Sequence, residues 1–154
     1  MVEQQLYLQE KVELTSLEQA VRVDPAASIR HVLELMKQQA AGSCLVCANG
    51  KLVGIFTERD ALKLLATSAD LDRPIETIMS RNPKTARSTD TVASAIEKMS
   101  RGGYRRLPVV NEEGQPVGVI GVAGIVHFLV EHFPQTVYNL PPNPNPAMPE
   151  REGA

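Results

Sequence analysis

The sequence has no tryptophan, and aromatic residues make up only 4% of its 154 positions. Its core must therefore be built from aliphatic side chains. It has no apolar run near the roughly 18 residues that a membrane span needs. Residues Met1 to Leu14 lack the basic start and apolar stretch of a secretory leader. A cytoplasmic protein is expected. Charge of one sign is also missing: 16 basic residues face 18 acidic ones, for a net charge of −2. No overall positive field draws the chain to nucleic acid or to an anionic membrane. The three histidines, His31, His127 and His132, stand in no catalytic spacing with a Ser, Cys or carboxylate. There is no P-loop, no dinucleotide-binding glycine pattern and no cluster of metal ligands. These absences predict a protein that is not an enzyme, with no metal site and no required cofactor.

Cysteine is nearly absent too. The two present, Cys44 and Cys47, have the C-x-x-C spacing of a redox pair or half a zinc site. A full zinc site needs two more ligands, and no second pair exists. The segment Ser43-Cys44-Leu45-Val46-Cys47 reads as a buried strand, on which residues three apart point to opposite faces. The two thiols are expected to diverge, to stay reduced and to act as small apolar residues.

What is present is a repeat. Ile29, Val32, Leu33 and Met36 follow the i, i+3, i+4, i+7 stripe of an amphipathic helix. Val92, Ala95, Ile96 and Met99 repeat it, with Met36 and Met99 63 residues apart. Ser28 and Thr91, at the same offset, can cap these helices, and Gly42 or Gly102-Gly103 follow them. Two strand-like runs come next in each unit. They are Cys44 to Cys47 and Leu52 to Phe56 in the first, Leu107 to Val110 and Pro116 to Ile120 in the second. Asn49-Gly50 is a hairpin signal because both residues tolerate positive φ. Asn111-Glu112-Glu113-Gly114 turns the second hairpin. A second helix closes each unit, through Ala61 to Leu65 and Ile125 to Val130.

The predicted organisation is a lead-in (1–15), a first repeat (16–70), a linker (71–82), a second repeat (83–133) and a proline-rich tail (134–154). The tail reads as an extended or disordered arm. One unit is too small to bury its own sheet and helices. Two βαββα units packed as one pseudo-symmetric α+β globule can do so.

With these pieces in order, the chain resembles a tandem pair of cystathionine-β-synthase (CBS) domains, a Bateman module, over about Ser16 to Phe133. The first unit carries Gly50-Lys51-Leu52-Val53-Gly54-Ile55-Phe56-Thr57-Glu58-Arg59-Asp60. This is similar to the family's strand-to-helix motif, which runs from glycine and apolar residues to Thr or Ser and then Asp three places on. The second carries Gly103-Tyr104-Arg105-Arg106-Leu107-Pro108-Val109-Val110, similar to the family's strand opening. Ile78-Met79-Ser80 resembles its lead-in to a repeat. The resemblance implies a regulatory sensor that binds AMP, ADP, ATP or S-adenosylmethionine between its repeats. It also implies pairing into a homodimer and signalling to a separate, unidentified protein.

The residues themselves suit such a ligand. Thr57 and Asp60 stand where a strand ends and a helix begins, and a helix start favours anions. The Asp60 carboxylate can accept from two ribose hydroxyls, and Thr57 can donate to a ligand oxygen. Arg105 and Arg106 can answer phosphates. The wider set of expected contacts takes in Val21, Ser43, Arg59, Thr85, Gly103 and Tyr104. The second unit has Gly121 and Gly124 where the first has Thr57 and Asp60, so one site per chain is expected, with the carboxylate from one unit and the cations from the other. Two readings need no nucleotide. Thr57-x-x-Asp60 is also close to a capping box, which leaves a ligand-free adaptor or dimerisation module. Arg101 to Arg106, with Tyr104 interleaved, is the pattern of a nucleic-acid contact, against which the acidic balance argues.

Overall fold

In the computed structural model of the chain, which describes residues 9–12, 15 and 17–132, Ser28 and Thr91 begin two matching helices. Each hydroxyl accepts a backbone N–H three residues on, from His31 and Ser94, both at 3.1 Å. The helices are α1 (Ile29–Gln38) and α3 (Val92–Gly102). Their apolar stripes are buried, through Ile29, Val32 and Met36 in one and Val92, Ala95 and Met99 in the other. The two helices end differently. Gly103 takes the left-handed conformation that closes α3, at φ 66°. After α1 it is Ala40, at φ 49°, that turns left-handed, and Gly42 is not among the positive-φ residues. Gly42 is therefore not the terminator that its position suggests.

The first sheet has the order β1 (Val21–Val23), β2 (Ser43–Ala48), β3 (Lys51–Thr57), β4 (Ser80–Arg81). β1 runs parallel to β2, and the other pairs are antiparallel. Asn49 and Gly50, at φ 54° and 78°, form the hairpin turn. The second sheet has the order β5 (Ala86–Arg87), β6 (Arg106–Val110), β7 (Pro116–Gly121). There the Asn111 side-chain oxygen holds the longer turn by accepting from the N–H groups of Glu113 and Gln115. The hairpins lead into α2 (Glu58–Leu65) and α4 (Val122–His132). The family's βαββα order thus occurs twice, as an α+β fold.

The units exchange their leading segments. β4, which precedes the second unit, pairs with β3 of the first, Arg81 opposite Gly54. Glu18, ahead of β1 in the first unit, pairs with β7 of the second through two bonds to Val119, of 2.8 and 3.1 Å. The hairpins also meet, where the Leu52 N–H donates to the Gly114 carbonyl. The linker is therefore more than a tether: Ile75, in a 3-10 turn (Ile75–Thr77), and Met79 lie in the first unit's core.

Each unit has its own core, and a third cluster of Leu45, Ile55 and Val119 fills the space between the sheets. Cys44 is buried in the first unit's core, while Cys47 packs toward that third cluster. The cysteines thus belong to opposite faces of β2. Burial pushes the Cys44 thiol up to about 12, with Cys47 adding to the shift, and raises Cys47 as well against the opposing pull of Arg22. On α4, Ile125, Phe128 and Leu129 pack into the second unit's core. The apolar residues it leaves exposed are Val122, Val126 and Val130, and on α2 Leu62 and Leu65 are 72% and 63% exposed. Among the described residues no helix is long and apolar enough to cross a membrane. The proline-rich tail lies outside the described residues.

Candidate functional site

The strand β3 ends at Thr57, which is the extended N-cap of α2. Thr57 and Asp60 form a reciprocal capping box. Its two halves are unequal. Asp60 Oδ2 accepts from the Thr57 N–H at 3.0 Å and from the Thr57 hydroxyl at 3.1 Å. The return bond, from the Asp60 N–H to the Thr57 hydroxyl oxygen, is 3.5 Å long, at the weak end of hydrogen bonding. The Thr57 hydroxyl proton is therefore already committed to Asp60, so the expected donation to a ligand is not available in this arrangement. Asp60 Oδ1 has no partner among the described residues, and it is the free edge of the carboxylate.

Asp60 borders a recess of about 250 Å³, with Phe56, Lys63, Leu64 and Ile78. Three of these walls are apolar. Ile78 comes from the segment between the units and packs against the first unit's core, so the first unit and the linker frame the recess. Lys63 stands one helical turn beyond Asp60, an i, i+3 neighbour that the spacing on α2 would have revealed.

The two arginines separate. Arg105 is exposed, with no side-chain partner among the described residues, and its carbonyl accepts from Val122 N–H at the start of α4. Gly42 does the same for Glu58 at the start of α2. Arg106 is half-buried. Its Nε donates to Glu18 Oε2 at 3.0 Å, and its guanidinium lies against Gly42, where a Cβ would collide with it. Glycine at position 42 thus leaves room for the Arg106 guanidinium to lie there, and its backbone conformation is one that any residue adopts. Across the ladder Arg106 faces Gly121, as Ser43 faces Thr57 in the first sheet. Arg106 therefore reaches from the second unit to the junction of β2 and α2, but it arrives already paired with a carboxylate. Glu18 carried no signal in the sequence, being a single acidic residue in an extended segment.

The wider set scatters. Val21 is 2% exposed and packs in the first unit's core, and Ser43 is equally buried beside Thr57. Arg59 is exposed on α2. The Thr85 carbonyl accepts from Lys98 Nζ. Gly103 is the cap of α3, and Tyr104 folds back over Gly102. Arg101 bridges Glu97 along α3. A larger open cleft of about 1010 Å³ lies elsewhere, at the hairpin turns, with Arg22, His31, Gln115 and Val117 among its walls. It contains none of the expected site residues, and among the described residues no three His, Cys, Asp or Glu side chains gather as a metal site.

The CBS domain family matches this chain twice, over residues 14–67 and 75–131. A 17.7 kDa protein of Acidianus ambivalens is 30% identical over 71% of this chain and 66% of its own length. CBS domain-containing protein YhcV of Bacillus subtilis is 30% identical over 72% of this chain and 79% of its own. The chain spans only 21–32% of three other curated relatives. Among solved structures, CBS domain protein PAE2072 of Pyrobaculum aerophilum, complexed with AMP, superposes with a TM-score of 0.70 and 29% identity, covering 79% of this chain and 99% of that one. The CBS domain pair of protein MJ0100, in complex with 5′-methylthioadenosine and S-adenosyl-L-methionine, gives 0.68 and 28%, covering 77% and 98%. Two consecutive matches that take up most of the sequence, on a fold shared with these pairs, make the chain a tandem member of the CBS domain family.

Proposed function

We propose that the chain is a non-catalytic regulatory module that binds an adenosine-containing ligand at the start of α2. The ligand is AMP, ADP, ATP or S-adenosylmethionine, the module works as a homodimer, and it signals to a separate protein. One observation carries the reading: Asp60 closes its capping box with one oxygen, and Oδ1, without a partner among the described residues, stands at the rim of an apolar recess. A carboxylate so placed accepts from the vicinal hydroxyls of a ribose. Phe56, Leu64 and Ile78 supply the apolar wall for a purine, and Lys63 supplies a cation for phosphate. The recess is slightly below the roughly 300–1,000 Å³ of typical ligand pockets, so the phosphates extend out of it, toward Arg105 and Arg106. AMP on one similar structure, and methylthioadenosine and S-adenosylmethionine on another, support this ligand class. The exposed apolar residues of α2 and α4 support pairing of two copies.

The test is titration calorimetry with adenosine, AMP, ADP, ATP and S-adenosylmethionine on the wild type, Asp60→Ala and Arg22→Ala. Binding that Asp60→Ala weakens and Arg22→Ala leaves intact supports the site. Binding lost only in Arg22→Ala moves the ligand to the larger cleft. No binding of any ligand leaves the adaptor reading.

A further inference from the structure

Glu18 stands at an unusual place for a carboxylate. Two backbone hydrogen bonds with Val119 fix its main chain against β7. Its carboxylate covers Gly121, where a Cβ would come within 2.6 Å of Oε1. Gly121 is the residue that matches Thr57 in the first unit. A side chain from outside the unit therefore fills the space left by the missing hydroxyl residue, at the start of α4. From there its other oxygen holds Arg106, whose guanidinium also lies on Gly42 beside the start of α2. Arg106 thus touches the entrances to both helices, and Glu18 answers its charge.

We infer that Glu18 is a built-in competitor of the ligand's phosphate for Arg106. The inference rests on the nucleotide reading above. In the free chain the guanidinium is committed to Glu18. The two side chains are 29% and 35% exposed, and a pair this open to water is weak enough to be exchanged. A phosphate offers more charge and can take the guanidinium fork with two oxygens, where Glu18 engages it with one. Only a ligand carrying that charge displaces Glu18, and an uncharged nucleoside leaves the pair closed. Glu18 therefore sets a threshold that distinguishes ligands by their phosphates.

The experiment compares adenosine and AMP affinities by calorimetry in the wild type, Glu18→Gln, Arg106→Ala and the double variant. Glu18→Gln keeps the size and the backbone pairing but removes the competing charge. It is expected to tighten AMP about two- to fivefold, the scale of a partly exposed ion pair, and to leave adenosine unchanged. The gain should vanish when Arg106→Ala is also present. Glu18→Ala gives the same ordering and guards against a folding defect of the first variant, with melting curves recorded for both. AMP affinity unchanged in Glu18→Gln, in a protein whose AMP binding still depends on Asp60, overturns the role of Glu18 and spares the nucleotide site. Equal tightening of adenosine and AMP also overturns it, because charge would not be the cause. If the wild type and Glu18→Gln bind neither ligand, the nucleotide reading falls and this inference with it.

Discussion

Met79 lies against Gly54, in the space that a Cβ on the glycine would need. The contact joins the segment leading into the second unit to the middle of β3 in the first. Leu17 lies on Gly118 in the mirrored place, 3.0 Å from a Cβ there. A side chain at position 54 would push Met79 out of its place in the first unit's core. Gly54→Val is expected to cost about 1–3 kcal/mol, the usual scale of overpacking. Urea unfolding should show a lower midpoint with an unchanged slope. A midpoint equal to that of the wild type would mean that Met79 moves aside freely.

Asp60 has two tasks, which variants can separate. Asp60→Ala removes charge-assisted bonds to the ribose, so affinity should fall about ten- to hundredfold. It also removes the firm half of the capping box, which costs about 1 kcal/mol of stability. Asp60→Asn keeps an acceptor for the Thr57 N–H and should retain most of the stability while still weakening the ligand. Unfolding curves and calorimetry on both variants test this. A variant that loses stability but no affinity would reduce Asp60 to a cap.

The cysteines should differ in reactivity. Cys47 is half-buried and Cys44 fully buried, so an alkylating reagent in excess should modify Cys47 first and Cys44 only on unfolding. Mass spectrometry of the modified protein reads this directly. The raised Cys44 thiol also has a consequence for pH. The folded state holds its proton more tightly than the unfolded chain does. The associated stability is complete below the ordinary value of 9.0 and is lost as pH rises toward about 12. Cys44→Ala should flatten part of that alkaline decline.

Val126 is the central member of the exposed stripe Val122, Val126 and Val130 on α4. If two copies pair through α2 and α4, Val126→Asp places a charge in that contact. Light scattering at micromolar concentration should then change from a dimer to a folded monomer. A wild-type monomer would remove the homodimer from the proposal.

The local features were legible because local chemistry dictates them. Ser28 and Thr91 cap as their types require, Asn49-Gly50 turns with both φ angles positive, and Gly103 closes α3. Thr57 and Asp60 could be placed at a helix start from spacing alone. Which face of α4 is buried was not legible: Ile125, Phe128 and Leu129 serve the core while Val122, Val126 and Val130 face out. A helix that is apolar around much of its circumference has no periodicity to say which side is buried. What spacing could not reveal were long-range partnerships. Glu18 and Arg106 are 88 residues apart, and β4 and β5 have two residues each, too few to show alternation. The same distance concealed that an arginine of the other unit lies on Gly42.

The exchange of leading segments also bears on how the chain is made. Glu18 leaves the ribosome ahead of its partner Val119, which follows about 100 residues later. At the usual synthesis rate of about 5–20 residues per second, that is a wait of roughly 5–20 s. During it the first unit can form its hairpin and α1, but its leading segment has no strand to join. That segment must stay unpaired in a crowded cell, or be shielded by a chaperone, until β7 emerges.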